Sequence, residues 1–251
     1  DWRGLFRGVT PLVLRPRDVA QVAAIVKIAN RYGVPIVPQG GNTGLVRGGV
    51  PDASGRQVVV SLERLNRIRS VDPDDFSLVA EAGVVLADVQ AAAEQADRLF
   101  PLSLGSEGSA RIGGLVSTNA GGIHVLRYGT MRALVLGLEA VLPTGEVFHG
   151  LSSLRKDNTG YDLKQLLIGA EGTLGIVTAA TLRLFPRLRT TISAWMTLAS
   201  PHAAVRLLAH LRERTGDQVN AFELIPRDGI DLVLRHFPDV REDRKSTRLN
   251  S

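Results

Sequence analysis

Glycine is concentrated in three stretches of this chain, and each has the composition of a loop that could hold a phosphate-bearing ligand. The first runs from Pro38 to Gly49, the second from Gly105 to Gly122 and the third from Gly169 to Gly175. Glycine lets the main chain approach a ligand closely and adopt positive φ angles. Successive N–H groups in such turns form concave anion sites. Three such loops predict an elongated ligand with phosphates near its middle, which describes a dinucleotide better than a single phosphate.

Two common phosphate-binding motifs do not account for these loops. A Walker-type loop ends in Gly-Lys followed by Ser or Thr, and none of the three stretches has that ending. A Rossmann fingerprint lies between a strand and a helix. Residues 45–55, which follow the core of the first stretch, are too rich in glycine and proline to form that helix. From the residues alone, a set of tight turns without a ligand remains the alternative.

Side chains that usually carry acid–base or metal chemistry are sparse and scattered. The chain has no cysteine, which excludes disulfides, iron–sulfur clusters and thiol chemistry. We predict no metal site and assign no catalytic residue, because no two histidines have the spacing of metal ligands. The five histidines are His124, His149, His202, His210 and His236. His124 could approach a ligand beside the second stretch, although a packed or surface histidine is the commoner case. Two roles, ligand contact and loop anchoring, stay open for Arg127, Lys156, Asp157 and Tyr161.

The bulk composition is that of a globular protein with a packed core. Hydrophobic residues make up 44% of the 251 residues, and the net charge is only +5, with arginines interspersed among acids. Aromatic residues make up only 5%, which is few for the stacking platforms of single-strand binders, so we predict no nucleic-acid partner. No apolar run reaches the roughly 20 residues of a transmembrane helix. We predict a cytoplasmic protein, with peripheral attachment to a membrane left open.

Hydrophobic periodicity predicts helices and strands that position the three stretches. Asp18 is expected to cap a helix that ends at Gly33, because apolar residues recur at helical spacing between them. Strands at 34–37 and 58–62 flank the first stretch and predict a small α/β layer. A second, larger mixed sheet is predicted to carry the other two stretches. Its strands are expected at 68–71, 77–82, 134–142, 147–148 and 175–185, with a helix at 86–96.

The pattern changes after Pro186 and predicts the start of a different domain. The expected elements are a strand at 190–198, a helix at 201–214, a strand at 219–224 and a helix at 227–236. This order stops before a core could close, so we expect a fragment of a longer protein, with one domain at 1–187 and an incomplete one at 188–242. Residues 243–251 lack apolar periodicity and resemble translated sequencing-adapter read-through, so they are expected to be non-native.

Together these stretches resemble a known family over about residues 1–235. The segments that carry the resemblance are Val37–Leu45, Ile112–Gly122, Arg127–Gly129, Arg155–Leu163 and Glu171–Ile176. They are similar to flavin oxidoreductases with a vanillyl-alcohol-oxidase-like, PCMH-type FAD domain. Within that family the chain resembles the branch of D-2-hydroxyglutarate dehydrogenase, D-lactate dehydrogenase and the glycolate oxidase large subunit. The resemblance implies an α+β fold of two subdomains, a small α/β layer and a larger mixed sheet with helices, followed by a truncated α/β cap domain.

The resemblance also implies a cofactor and the residues that contact it. The cofactor is FAD, with the first stretch around the pyrophosphate, the second beside the isoalloxazine and ribityl groups, and the third near the adenine. The implied cofactor-binding residues are Pro38, Gly40, Gly41, Asn42, Thr43, Gly44, Leu45, Gly48, Gly49, Pro101, Gly105, Ser109, Ile112, Gly113, Gly114, Thr118, Asn119, Gly121, Gly122, Glu171, Gly172, Gly175 and Ile176. Some relatives attach flavin through a histidine or a cysteine. Asn42 stands at that histidine's place and cysteine is absent, so noncovalent FAD is implied.

A reaction is implied as well. It is the oxidation of a D-2-hydroxy acid, such as D-2-hydroxyglutarate, D-lactate or glycolate, to the 2-oxo acid, with hydride transfer to flavin N5. The base, the metal-binding histidines and the substrate-carboxylate arginine of this branch lie in segments that this chain does not contain. The chain is therefore expected to be the FAD-binding half of an enzyme. Implied partners are a small 2-hydroxy-acid substrate and an electron acceptor, which is an electron-transfer flavoprotein, a quinone or a cytochrome. A homo-oligomer is left open.

Two other functions remain open at this point. One is a flavin-binding electron-transfer or accessory subunit without its own substrate site, which the absent C-terminal segments suggest. The other is a related FAD reductase of cell-wall precursor synthesis, which shares the fold. The segment Lys156–Leu163 argues against the reductase.

Overall fold

The computed structural model describes residues 3–237. Contacts divide the chain into two compact units, of which the first spans Asp1–Arg187 and the second begins at Leu188. In the described residues, the first unit contains all of the strands, and the second contains two helices. The predicted non-native tail at 243–251 lies outside the described residues.

The first unit begins with the predicted small α/β layer. Its elements are β1 (Val13–Leu14), α1 (Val19–Tyr32), β2 (Ile36–Gln39) and β3 (Val58–Ser61). The three strands are parallel and lie in the order β1-β3-β2. Asp18 caps α1 as predicted, since its carboxylate accepts a hydrogen bond from the N–H of Gln21 at 2.8 Å. Parallel strands need a long connection, and the one between β2 and β3 contains the first glycine stretch.

A larger sheet contains five strands. They are β4 (Ile68–Asp72), β5 (Ser77–Glu81), β7 (Val135–Val141), β8 (Val147–Gly150) and β9 (Ile176–Arg183). A separate antiparallel pair consists of β6 (Arg98–Leu99) and β10 (Phe185–Pro186). The α+β fold with a small layer and a larger sheet is confirmed, but the larger sheet is antiparallel throughout rather than mixed. The reason is its order, β4-β5-β9-β7-β8, because two hairpins lie on either side of β9, which runs antiparallel to both neighbours.

Five helices of the first unit lie between or beside these strands. They are α2 (Leu86–Gln95), α3 (Ile112–Ser117), α4 (Val125–Tyr128), α5 (Met131–Leu134) and α6 (Lys164–Leu167). The main core joins them to the large sheet through fully buried side chains such as Leu86, Ile112 and Leu138. A smaller core joins α1 to both sheets, with Val22, Val60 and Ile176 among its members. Because Ile176 follows the third stretch directly, this smaller core fixes that stretch against the small layer.

The second unit, taken by itself, consists of helices without strands in its described residues. Its helices are α7 (Pro201–Thr215) and α8 (Arg227–His236). Both helices are confirmed, but the predicted strands at 190–198 and 219–224 are wrong, since those residues have no strand pairing. A strand needs a hydrogen-bonded neighbour, and most side chains in 190–198 are exposed instead. Among residues 3–237, none of the helices combines the length and the hydrophobicity that a membrane span requires.

Candidate functional site

The three glycine stretches meet at one cleft in the first unit, here called the glycine cleft. Its volume is about 140 Å³. Most of the cofactor-binding residues implied by the resemblance line it. They are Pro38, Gly40, Gly41, Asn42, Thr43, Gly44, Gly48, Gly49, Gly113, Gly114, Thr118, Glu171, Gly172, Gly175 and Ile176. Residues that are more than a hundred positions apart in the sequence therefore share one concave surface.

The first stretch forms the loop that follows β2. A Cβ atom added to Gly41 would lie 2.0 Å from the carbonyl oxygen of Ser109, so only glycine allows the first and second stretches to come this close. The side chain of Gln39 donates a hydrogen bond to the carbonyl of Gly49 at 2.7 Å and closes the loop. Asn42 adopts a left-handed conformation with φ of 53°, which asparagine tolerates better than most residues.

The second stretch contributes the beginning of α3. The N–H groups of Ile112 and Gly113 donate to the carbonyls of Val84 and Ala82, at 3.0 and 2.8 Å, which fixes this end of the helix against the end of β5. A Cβ atom on Gly113 would lie 2.7 Å from the Cβ of Ala82, whereas a Cβ atom on Gly114 would meet nothing within 4 Å. Gly113 therefore serves close packing, and Gly114 leaves space in the cleft.

The third stretch is held by the other end of α3. Hydrogen bonds run from the N–H of Gly169 to the carbonyl of Val116 at 3.1 Å and from that of Glu171 to the carbonyl of Ser117 at 2.8 Å. Glu171 is left-handed with φ of 51°, an uncommon state for a non-glycine residue that often marks a functional loop. Its carboxylate lies 3.2 Å from the position of a Cβ on Gly48, so the third stretch faces the first across the cleft.

Several implied residues lie outside the glycine cleft. They are Leu45, Pro101, Gly105, Ser109, Ile112, Asn119, Gly121 and Gly122. Four of them belong to two adjacent loops that contact each other. A Cβ atom on Gly122 would lie 1.9 Å from the carbonyl oxygen of Ser103, and Nδ1 of His124 lies 3.0 Å from the carbonyl oxygen of Pro101. These two loops form a second group of implied residues.

Of the other four implied residues outside the cleft, three have structural roles within the protein and one is exposed. Ile112 is fully buried in the main core. The side-chain oxygen of Asn119 accepts a hydrogen bond from the main-chain N–H of Arg132 at 2.9 Å, so this oxygen already has a partner within the protein. Ser109 contributes its carbonyl to the contact with Gly41. Leu45 is more than half exposed at 55%.

Two arginines that the sequence did not single out support the cleft. Arg132 on α5 donates to the carbonyl and side-chain oxygens of Gln165, at 2.7 and 2.8 Å, and to the carbonyl of Ile168. It thereby ties the second stretch, through Asn119, to the segment that leads into the third. Arg111 lines the cleft and donates to the carbonyl of Gly83. No local sequence signal marks either role, because each depends on partners far along the chain.

Ion pairs with buried carboxylates lie at the end of β5 that supports α3. Glu81 is 1% exposed and accepts hydrogen bonds from Arg67 at 2.9 Å and Arg69 at 3.2 Å. Arg69 also donates to Glu139 at 3.0 Å, whose carboxylate accepts a further hydrogen bond from Thr178 at 2.9 Å. Burial by itself raises the pKa of Glu81, but the hydrogen bonds from the two arginines outweigh it and lower that pKa below its ordinary value. Glu81 is therefore ionised, and its hydrogen bonds hold β5 in place.

The side chains whose roles the sequence left undecided do not line the glycine cleft. His124 is partly buried by its contact with Pro101 and makes an edge contact with Tyr128. The guanidinium of Arg127 lies 5.0 Å from the Tyr128 ring. Tyr161 is 93% exposed, and Lys156 and Asp157 are exposed beside it. Within residues 3–237, no three His, Cys, Asp or Glu side chains are grouped so that they could hold a metal.

The glycine cleft has the donors that a pyrophosphate needs. The N–H groups of Gly41–Gly44 and of Gly114 donate no hydrogen bond to any described residue, so they are available to a ligand. Arg47 and Arg111 add positive charge to the lining. Added Cβ atoms on Gly44 and Gly114 would point into open space, and side chains there would occupy it. The residues present therefore fit the phosphate-bearing part of a dinucleotide such as FAD.

Comparison with known proteins agrees with this geometry. Residues 10–150 match the family model described as FAD binding domain. The chain is 40% identical over 247 residues to the mitochondrial D-2-hydroxyglutarate dehydrogenase of Arabidopsis thaliana. The match covers 98% of this chain and 44% of that protein. It is 38% identical over 240 residues to the D-2-hydroxyglutarate–pyruvate transhydrogenase of Saccharomyces cerevisiae, with coverage of 96% and 48%. The chain thus spans less than half the length of these relatives.

A solved structure of alkyldihydroxyacetonephosphate synthase has a similar fold. The TM-score is 0.63 at 24% identity, and the match covers 71% of this chain and 32% of that one. At this identity the likeness concerns the fold alone.

Proposed function

The chain belongs to the FAD binding domain family, and from that membership we propose that it is the flavin-binding part of an oxidoreductase acting on a D-2-hydroxy acid. The observation that carries the proposal is the convergence of three separate glycine stretches, with free main-chain N–H groups, on one cleft. The similarity to these two relatives supports D-2-hydroxyglutarate as the first substrate to test. D-lactate and glycolate are the next candidates, because they share the 2-hydroxy-acid group.

FAD would lie with its pyrophosphate in the glycine cleft. The rest of the cofactor would extend along the adjacent loops. The loop pair with Pro101, Gly105, Gly121 and Gly122 would accommodate the flavin end, and the third stretch the adenosine end.

The chain's own residues would hold and orient the cofactor. FAD, when bound, supplies the two-electron acceptor for oxidation of the substrate. The N–H groups of Gly41–Gly44 would bind the pyrophosphate, and the carboxylate of Glu171 would accept a hydrogen bond from a ribose hydroxyl. No catalytic base is assigned to this chain. We propose that the base and the substrate site come from the part of the relatives that this chain does not span.

An FAD titration followed by flavin fluorescence tests the assigned cleft. Gly114→Asp places bulk and negative charge in the open space beside the pyrophosphate without striking protein atoms, so we expect FAD affinity to fall at least about a hundredfold. Gly229→Asp is the matched control, because Gly229 lies in α8, outside the cleft, and its added Cβ would make only ordinary contacts with Pro226. Equal affinity in the two variants would refute the assignment. Gly41→Asp is a poorer test, since its Cβ would strike the carbonyl of Ser109 and disturb the fold.

Noncovalent attachment is tested by acid precipitation of the FAD-loaded chain. We expect the yellow chromophore to stay in the supernatant, because Asn42 offers no nucleophile for a covalent bond. A pellet that keeps the flavin would contradict this part of the proposal.

Substrate oxidation is tested by anaerobic mixing with D-2-hydroxyglutarate, D-lactate and glycolate, followed at the flavin absorption band. We expect bleaching when the chain is joined to the C-terminal part found in the relatives, and none with the chain alone. If the joined protein is not bleached by any of them but accepts electrons from a reduced partner protein, the electron-transfer subunit is the better account. A cytoplasmic location stays a prediction, and cell fractionation tests it.

A further inference from the structure

A second concave surface of the first unit is lined almost entirely by arginine, and it is here called the arginine pocket. It is shallow and broadly open to solvent, with a volume of about 580 Å³. Five arginines surround it: Arg15, Arg17, Arg64, Arg67 and Arg111. The other two lining residues are Glu63 and Asn66. The five arginines come from three segments, just before α1, just after β3 and just before α3.

Only part of this positive charge is neutralised within the protein. Glu63 pairs with Arg15, and Glu81 pairs with Arg67, near which the Asp18 carboxylate also stands. Arg64 makes one long hydrogen bond of 3.5 Å, to the carbonyl of Arg15. Arg111 donates to the carbonyl of Gly83, which is a neutral acceptor. Arg17 forms no side-chain hydrogen bond or ion pair with a described residue. Three guanidinium groups thus face one cavity without a carboxylate partner.

We infer that the arginine pocket binds a small polyanion carrying two or more phosphate or carboxylate groups. The planar guanidinium presents parallel N–H donors that match the oxygens of phosphate and carboxylate. Three uncompensated guanidiniums call for more than one anionic group in the ligand. The seven lining residues are few, which favours a small molecule over a protein partner, whose interface takes about 20–30 residues. The site is separate from the glycine cleft except for the shared Arg111.

The inference is tested by isothermal titration of inorganic pyrophosphate, and separately of citrate, into the FAD-loaded chain. The two probes distinguish a preference for phosphate from one for carboxylate. We expect saturable binding at one site per chain, with an affinity that falls as salt is raised. Arg64→Ala should weaken binding about tenfold, and the double variant Arg17→Ala/Arg64→Ala should weaken it further. Both side chains are exposed, so the fold should tolerate their loss.

Arg31→Ala is the matched control, because it removes the same charge from an exposed position in the last turn of α1, away from the pocket. Unchanged binding in this control is expected. Equal weakening in Arg31→Ala, or binding without saturation, would mean adventitious attraction to a basic surface and would overturn the inference. Saturable binding of an acidic peptide but of neither small anion would also overturn it. FAD affinity is measured in the same Arg17 and Arg64 variants and should not change, so a failure here leaves the flavin proposal intact.

Discussion

The glycine cleft and the arginine pocket share Arg111, but they offer a ligand different kinds of hydrogen-bond donor. The cleft is lined by the main chain, with free N–H groups at Gly41–Gly44 and Gly114. The pocket is lined by long side chains from three segments. The cleft is the more enclosed of the two, whereas the pocket is shallow and open to solvent. The kind of donor that each surface presents decides which ligand it binds.

The difference has a consequence for substitutions. A main-chain site is damaged by adding atoms, because any side chain on its glycines fills the space that the ligand needs. A side-chain site is damaged by removing atoms, because its donors are the side chains themselves.

Gly113→Leu and Gly114→Leu should have opposite effects on stability although the two residues are neighbours. The added Cβ at Gly113 would lie 2.7 Å from Ala82, so we expect a loss of about 3 kcal/mol in the free energy of unfolding. The added Cβ at Gly114 would meet no atom within 4 Å, and the substitution replaces a helical glycine, so stability should stay equal or rise by up to about 1 kcal/mol. Urea unfolding of both variants measures the contrast. Similar destabilisation of both would mean that Gly114 also serves packing.

Glu81→Gln should destabilise the support that both sites share. Glu81 is 1% exposed and accepts hydrogen bonds from Arg67 and Arg69, so its neutralisation should cost about 2–3 kcal/mol. Glu94→Gln is the control, since Glu94 forms an ion pair with Arg187 but is 64% exposed, and exposed pairs contribute about 0–1 kcal/mol. Thermal or urea unfolding measures both variants. Equal small losses would show that the buried network is dispensable.

The stability difference between the wild type and Glu81→Gln should depend on pH in a direction that the pKa of Glu81 fixes. The pKa of Glu81 in the folded protein lies below its ordinary value, so the carboxylate stabilises the fold at neutral pH. That contribution is full above the unfolded-state pKa of about 4.3 and is lost as pH falls through the lower folded-state pKa. The stability difference between the wild type and Glu81→Gln should therefore be constant near neutrality and shrink in acid. A difference that grows in acid would contradict the assignment.

Arg132→Ala should weaken FAD binding about tenfold without blocking the cleft. Its hydrogen bonds to Gln165 and Ile168 position the segment before the third stretch, so their loss should loosen that loop. Faster amide hydrogen exchange in residues 165–175 is the accompanying readout. Arg132→Lys should restore little, because it cannot make the forked contacts. Weaker FAD binding with unchanged exchange would mean that Arg132 acts in another way.

Arg111→Ala should have the smallest effect on each site but should affect both. We expect a loss of a few-fold, about 0.5–1 kcal/mol, in FAD affinity and in pyrophosphate affinity, because Arg111 lines both cavities. Arg64→Ala should weaken only the pyrophosphate. Titration of both ligands into both variants measures this. Loss in only one site for Arg111→Ala would show that the shared wall has no energetic role in the other.

The sequence predicted features that depend on local rules. Asp18 and Gly33 bound α1 because capping needs only neighbouring residues, and the glycine stretches were visible because a main-chain site requires glycine at each close approach. The predicted strands at 190–198 and 219–224 failed because strand pairing depends on neighbours outside the segment. The roles of Arg132 and of the arginine pocket were missed for the same reason. Their partners are brought together only by the fold.

The proposed function depends on three separate stretches of the chain binding one elongated cofactor. It is tested most directly by amide NMR spectra of the isotope-labelled chain during an FAD titration. The account predicts that the amide signals of Gly41–Gly44, Gly114 and Gly172 shift together and saturate at the same FAD concentration, while that of Gly229 in α8 does not move. Shifts confined to a single stretch, or saturating at different concentrations, would contradict it.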